Sequence, residues 1–338
     1  MTQVGFQRCG SGFNSTDVDA NSPVGMNADP RTSVGMNADL RSDGSKEVRD
    51  TMKMANKKLV SIICTLGIVC VALQGCVHQR SEPVPLTDMA KIGELFPGFP
   101  KGYLAHDALP DSLAILPPPP ATDSAAGKAD EAAYIATRAL ADGPRGGVAT
   151  RDADLRFPRS LNAFACATGF EVDPNRSPQL ATLLRRSFSD AAVATSRAKN
   201  HYQRTRPFVA HDAHTCFPQD EAMLKKDGSY PSGHSAIGWV WALILSELVP
   251  DRTTAIQERG FAFARSRVIC GAHWASDTVQ GMLVGSATYA RLQADPTFLA
   301  QLQAAKAEVG ELRGQPQPVT RDCAAEAEAL RLDDRAAP

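Results

Sequence analysis

Residues 228–245 read GSYPSGHSAIGWVWALIL. A proline, two small residues and a histidine run straight into an uncharged apolar segment. Pro231 ends what precedes it, because a proline ring removes a donor and clashes with the preceding turn of a helix. The apolar run is predicted to form a buried helix over 235–249, with Ser232 or Ser235 as its cap. Together with a second run at 278–290, it stops short of the eighteen or so residues that a membrane span requires. Both are read as core helices of a globular domain.

Helical spacing recurs around this segment. Asp123 or Ser124 opens an alanine-rich helix over 122–141, and Gly143 to Gly147 break it. Ser177 and Pro178 open another, in which Leu180, Leu183, Leu184, Phe188, Ala191 and Ala192 repeat at helical intervals. Segments at about 253–269, 274–293 and 295–313 continue the pattern, and no region alternates convincingly with period two. The predicted fold class is all-α, a compact multi-helix bundle.

The chain has 338 residues, is 43% hydrophobic and carries a formal net charge of −1. That balance gives no sign of a nucleic-acid surface or a polybasic membrane patch, so no nucleic-acid partner is expected. Residues 1–51 contain a near-repeat, SPVGMNADPR then TSVGMNADLR (22–41), with few large apolar groups. They are read as disordered, or as sequence upstream of the true start. Residues 52–76 read as an export signal. Lys57 and Lys58 precede LVSIICTLGIVCVAL (59–73), an apolar core short for a span and right for a signal peptide. The signal ends in LQGC, which resembles a bacterial lipobox with Cys76 as the lipidated residue. The segment reads as a lipid anchor at Cys76, with an ordinary cleaved signal or an uncleaved anchor as the alternatives; all three export the domain, and the expected location is the periplasm.

Residues 77–120 form a proline-rich arm that ends in PPPP at 117–120. Residues 121–313 are the main domain, and 314–338 a C-terminal tail with little apolar surface. Export places Cys166, Cys216, Cys270 and Cys323 in an oxidising compartment, where one or two disulfides are expected; four cysteines allow three connectivities. None lies in a CxxC or a Cys/His cluster at zinc spacing, so no structural metal is expected.

Three blocks carry the chemistry: KNHYQRTRP (199–207), PSGH (231–234) and SRVICGAHWASD (266–277). A phosphate dianion needs several fixed cations, and Lys199, Arg206 and Arg267 supply them, the arginines as bidentate forks and the lysine as a point charge. Ser232 and Gly233 precede a helix N-terminus, whose N–H groups favour an anion. His273 and Asp277 are four apart, hence expected on one helical face, with Asp277 taking the Nδ1 proton and leaving Nε2 free to attack. His234 is then placed to protonate the leaving oxygen. Taken singly, these charges read as solvated surface groups; together, in this order and spacing, they do not.

The spacings Lys-x6-Arg-Pro, Pro-Ser-Gly-His and Ser-Arg-x5-His-x3-Asp resemble the signature of the type-2 phosphatidic acid phosphatase and vanadium haloperoxidase superfamily. GSYPSGH followed by IGW, together with LPPPPATDSAA (116–126) and DPTFLAQLQAAKAE (295–308), resembles the bacterial class A non-specific acid phosphatases over about residues 105–310. The resemblance implies an all-α bundle of that type, a periplasmic setting, no cofactor and no metal. It implies small phosphomonoester substrates, with phosphate transfer to alcohols as a side activity and a homo-oligomer allowed. His273 would attack phosphorus, Asp277 orient it, and His234 act as acid and then base. Lys199, Arg206, Ser232, Gly233 and Arg267 would hold the phosphoryl oxygens. The same residues would hold vanadate in a haloperoxidase, and a non-catalytic phosphate-binding lipoprotein is a third reading. Three departures stand out: Ser235 where the group has threonine, Ala272 for a tyrosine, which is expected to alter the pocket rim, and the tail beyond Gly314. The resemblance includes positions like Cys216 and Cys270, while a Cys166–Cys323 bridge is expected to tie that tail to the body.

Overall fold

The computed structural model describes residues 85–332. The leader readings at 1–51 and 52–76, Cys76 included, lie outside the described residues. Ser124 caps α1 (Ala125–Arg138), its hydroxyl accepting from Gly127 N at 3.0 Å. α2 (Pro144–Ala153) follows at once, where the glycines suggested only a break. Gly143 is its N-cap and Pro144 sits in its first turn, so the dipeptide starts a helix as well as ending one. α3 (Pro178–Ala194) and α4 (Ser196–Tyr202) come next. Then come α5 (Gly233–Leu248), α6 (Thr253–Ile269), α7 (Ala275–Leu292) and α8 (Pro296–Gly314). The chain closes with α9 (Cys323–Leu330).

The core forms around α5. Leu180, Leu183, Leu184 and Phe188 of α3 meet Ile237, Val240, Trp241 and Ile244, while Phe298, Leu302 and Val309 of α8 complete the cluster. Trp241 satisfies its buried indole by donating to the Leu184 carbonyl at 2.9 Å. Trimming one of these leucines to alanine costs about 2–5 kcal/mol, because both transfer energy and packing are lost. α7 presses onto α5 at Gly281, where a Cβ would stand 2.4 Å from the Ser232 carbonyl oxygen. That approach brings the start of α7 against the PSGH segment, and the Ser232 N–H donates to the Asp277 carbonyl at 2.9 Å.

The arm is more ordered than its composition suggests. It contains an antiparallel pair, β1 (Glu94–Phe96) and β2 (Phe99–Pro100), whose strands are too short to show alternation. Asp190 of α3 anchors it, accepting from the N–H groups of Tyr103 (2.9 Å) and Leu104 (3.0 Å). Two disulfides join Cys166 to Cys323 and Cys216 to Cys270. The first ties α9 to the body, and the buried side chain of Glu326 holds it there as well. Among the described residues no helix is long and apolar enough to cross a membrane.

Candidate active site

The site lies where α5 begins and α6 ends. α5 starts at Gly233, two residues earlier than predicted, so His234 stands in its first turn with Ser232 as the cap. The Ser232 hydroxyl accepts from the N–H of Ser235 at 3.2 Å and from its hydroxyl at 2.9 Å. Nothing in the protein demands a glycine at 233: a Cβ there would meet only Thr195 Oγ1, at an ordinary 3.8 Å. What the glycine leaves approachable is the row of free N–H groups at the helix start, where an anion binds best.

α6 ends in a Schellman turn. Ala272 N–H bonds back to the Arg267 carbonyl (3.1 Å), Gly271 N–H to the Val268 carbonyl (2.9 Å), and Gly271 takes φ +76°. The turn delivers His273 just ahead of Trp274, the N-cap of α7. This corrects the expectation of one helical face: only Asp277 is helical. It sits in the first turn, where its carboxylate accepts the Trp274 N–H at 2.9 Å. Asp277 Oδ2 still reaches 3.4 Å from His273 Nδ1, because the capping turn folds the histidine back over it.

The cations gather on the other side of the ring. Arg206, 2% exposed, places Nη1 3.0 Å from His273 Nε2. A guanidinium only donates, so Nε2 accepts and the ring proton belongs on Nδ1, toward Asp277. Arg206 Nη2 donates to Asp227 at 3.1 Å, and Lys199 Nζ lies 3.3 Å from the same oxygen while donating to the Gly228 carbonyl at 2.8 Å. Arg267 is equally buried, and its Nε and Nη1 have no hydrogen-bond partner among the described residues. Two orphan donors on a buried guanidinium are costly unless an acceptor meets them, and phosphate oxygens match that fork. His234 Nε2 stands 3.1 Å from the Ala153 carbonyl, which can only accept, so Nε2 carries hydrogen and Nδ1 is free to exchange a second proton.

Burial holds His234 well below the ordinary histidine pKa, and Arg267 pushes the same way. Burial does the same to His273, reinforced by Arg206 and Lys199. Burial and the neighbouring Arg206 push Lys199 down to about 8 and Arg267 down to about 9. Burial raises Asp277, against Arg204 and the Trp274 N–H, which favour its charge.

Arg204 is the residue that the motif reading passes over. It donates to Asp277 Oδ1 at 2.6 Å, to Ser276 Oγ at 2.8 Å and to Asp130 Oδ2 at 2.8 Å. The sequence offered no more than its place two residues before Arg206 in the same block. Ala272 is fully buried against Phe208 and Leu224, and its carbonyl accepts from Arg206 at 3.0 Å. Among the described residues no three His, Cys, Asp or Glu side chains are grouped as a metal site.

Buried cations and a helix N-terminus gathered around an imidazole are an arrangement suited to phosphoryl groups. Residues 181–294 match the PAP2 superfamily. The chain is 38% identical over 258 residues to the non-specific acid phosphatase of Providencia stuartii, covering 76% of this chain and 99% of that protein. It is 41% identical over 203 residues to an acid phosphatase of Zymomonas mobilis, covering 60% of this chain and 77% of that protein. Over 202 residues it is 41% identical to the non-specific acid phosphatase of Salmonella typhimurium, covering 60% and 81%. The chain belongs to the bacterial class A non-specific acid phosphatases of the PAP2 superfamily.

Proposed function

We propose that this acid phosphatase hydrolyses small phosphate monoesters without a metal, through a phosphohistidine on His273, after export by the leader at 52–76. The observation that carries this reading is the contact between Arg206 and His273 Nε2. Arg206 occupies the Nε2 lone pair here, and a phosphoryl oxygen that takes over that hydrogen bond would bring phosphorus to the freed Nε2, with Asp277 behind the protonated nitrogen.

In the first step His273 Nε2 attacks phosphorus, the P–O bond to the alcohol breaks, and His234 Nδ1 gives its proton to the departing oxygen. In the second, His234 takes a proton from water, the water oxygen bonds phosphorus, and the P–N bond breaks. Lys199, Arg206, Arg267, the Ser232 hydroxyl and the Gly233 N–H hold the equatorial oxygens in both steps. An alcohol in place of water would give phosphate transfer. Uncatalysed monoester hydrolysis is so slow that enhancements approach ~10²¹, and fixed, buried cations act on the developing charge.

The test is to quench turnover of a labelled monoester in alkali. A phosphoramidate is stable to base and lost in acid, so label on the wild-type chain and none on His273→Ala is the expected result. Label that survives acid, or label on His273→Ala, overturns the reading. Orthovanadate adopts the geometry of the transition state and should compete with substrate, while EDTA should leave activity unchanged.

A further inference from the structure

The carbonyl that holds His234 belongs to Ala153, the last residue of α2, and Asp152 precedes it. Asp152 is buried and gripped on both oxygens. Arg259 donates to Oδ1 at 2.5 Å and to Oδ2 at 3.1 Å, and Ser266 Oγ donates to Oδ2 at 2.6 Å. Ser266 adjoins Arg267, and Arg145 at the other end of α2 donates to its hydroxyl at 3.0 Å. On its far edge Arg259 Nε donates to Glu326 Oε1 at 3.2 Å. Glu326 lies on α9 and is 3% exposed. It also accepts from Arg321 at 2.8 Å and lies 3.8 Å from Arg151. The C-terminal helix therefore contributes a buried carboxylate to the charge cluster behind His234 and Arg267.

We propose that Glu326 is a positioning residue for the reaction: through Arg259 and Asp152 it fixes the end of α2, and with it the Ala153 carbonyl that orients His234. The proposal rests on His234 acting as the acid. A two-pronged arginine–carboxylate pair has a fixed plane, so holding the outer edge of Arg259 limits how Asp152, and the residue after it, can turn. The last carbonyls of α2 also carry partial negative charge, which favours an imidazolium placed against them. The other groups facing His234 are Arg267, His273 and Arg206, and all three oppose its protonation. The Ala153 carbonyl is thus the contact that favours the protonated ring, and its displacement would weaken the acid. α9 packs against α2 with Glu326 and Ala329 buried, and a cavity of about 640 Å³ lined by Cys166, Arg259, Phe261, Glu326 and Leu330 flanks the contact. The ion pair and the Cys166–Cys323 bridge both hold it there.

The test compares two substrates in the full oxidised chain. p-Nitrophenyl phosphate has a leaving group that needs little protonation, whereas β-glycerophosphate expels an alkoxide that needs a proton. His234→Ala should lose far more activity on the second substrate; equal losses on both would overturn the reading of His234 as acid. Where His234→Ala behaves as expected, Glu326→Gln should lower kcat/KM on β-glycerophosphate, which reports the step that expels the alcohol, about 5–10-fold, a part of the ~10²–10⁴ that a general acid supplies. Its kcat/KM on the nitrophenyl ester should stay within about twofold of wild type, and the basic limb of the pH profile should move to lower pH. Arg321→Ala removes a part-exposed partner of Glu326, and should give the same signature in smaller measure even where Glu326→Gln does not fold. Cys166→Ser with Cys323→Ser removes the tether alone, and should lower the melting temperature without changing the ratio between substrates. Wild-type kinetics in the folded glutamate and arginine variants overturns the proposal. So does a substrate ratio that shifts in every variant in proportion to lost stability.

Discussion

Behind His273 stand the buried Asp277 and Asp130 with the half-buried Arg204 between them; behind His234 stand the buried Asp152, Arg259 and Glu326. On the first side a carboxylate reaches the ring itself, 3.4 Å from Nδ1, with Arg204 on its other oxygen. On the second the carboxylate stops one residue short, and the ring meets a backbone carbonyl instead. A full charge beside His273 suits a ring that becomes positive when Nε2 is phosphorylated. A dipole beside His234 supports a proton without trapping it, which suits a group that gives it away and takes another. Two histidines thus receive different roles from their partners, as environment commonly dictates for pairs of titratable groups.

Replacing each histidine by alanine breaks this comparison most directly. His273→Ala removes the atom that bonds phosphorus and should abolish turnover. His234→Ala should slow β-glycerophosphate hydrolysis by ~10²–10⁴ and that of p-nitrophenyl phosphate by less, since a good leaving group can depart without help. Steady-state rates of both folded variants on the two substrates check the order. Wild-type-like activity in either variant, or the reverse order, would remove the basis for assigning nucleophile and acid.

Arg204 sharpens the nucleophile side. Arg204→Ala leaves Asp277 and Asp130 without their shared counter-charge, and breaking a buried pair in this way costs about 3–5 kcal/mol of stability. At a temperature where the variant stays folded, kcat should fall about 10–100-fold, less than the full reach of a general acid. KM should hardly move, because Arg204 bonds carboxylates and not phosphate. A variant that loses affinity for substrate and keeps kcat would place Arg204 among the phosphate ligands instead.

The chemistry was legible in the sequence because identities at fixed spacing survive any local geometry, and the helices because apolar period survives tertiary context. Local geometry was less legible. A spacing of four reads as one helical face, yet between His273 and Asp277 it spans a capping turn, and the pattern alone does not separate the two. Arg204 stayed hidden because its partner Asp130 is 74 residues away, and burial of a charge is decided by such partners. α9 stayed hidden for the same reason: an alanine-rich stretch shows no apolar face, and Arg259, which receives its Glu326, lies 67 residues upstream. The short β1–β2 pair left no period to read.

The pH profile tests both sides together. His273 works neutral, and burial with Arg206 and Lys199 keeps it so until the pH falls through its lowered pKa. His234 donates only when protonated, and that form is lost as the pH rises through a pKa that burial and Arg267 also lower. Both limbs of kcat/KM are therefore displaced to acid, and the optimum should lie below the ordinary histidine value of 6.5. Lys199, pushed down to about 8, sheds its charge above that pH and should steepen the fall. A bound phosphate dianion favours both protonated rings, so the basic limb of kcat should lie at higher pH than that of kcat/KM. Rates over about pH 3 to 9 decide it; a kcat/KM still climbing in the alkaline range contradicts the two-histidine scheme.

The disulfides give the smallest effect and separate stability from positioning. Cys166–Cys323 spans a separation of 157 residues and Cys216–Cys270 one of 54. Loop entropy grows only with the logarithm of length, so the chain-entropy model assigns them about 5 and about 4 kcal/mol. Replacing either pair by serine should therefore lower the melting temperature by a similar amount, roughly 10 °C or more for a domain of this size. Their places in the fold differ more than their loops. Cys270 is the C-cap of α6, and its carbonyl accepts the Cys216 N–H at 3.0 Å, next to the turn that delivers His273. Loosening that turn should cost about 3–10-fold in kcat at 25 °C, because small misplacements of a nucleophile are expensive. Cys323 begins α9, where the Glu326–Arg259 pair still holds the helix, so removing its bridge should leave kcat within about twofold. Scanning calorimetry and rates on the two double-serine variants, in the same non-reducing buffer, make the comparison. Equal losses of activity at equal losses of stability would show that the site answers only to global stability, and that the bridge beside His273 has no positioning role.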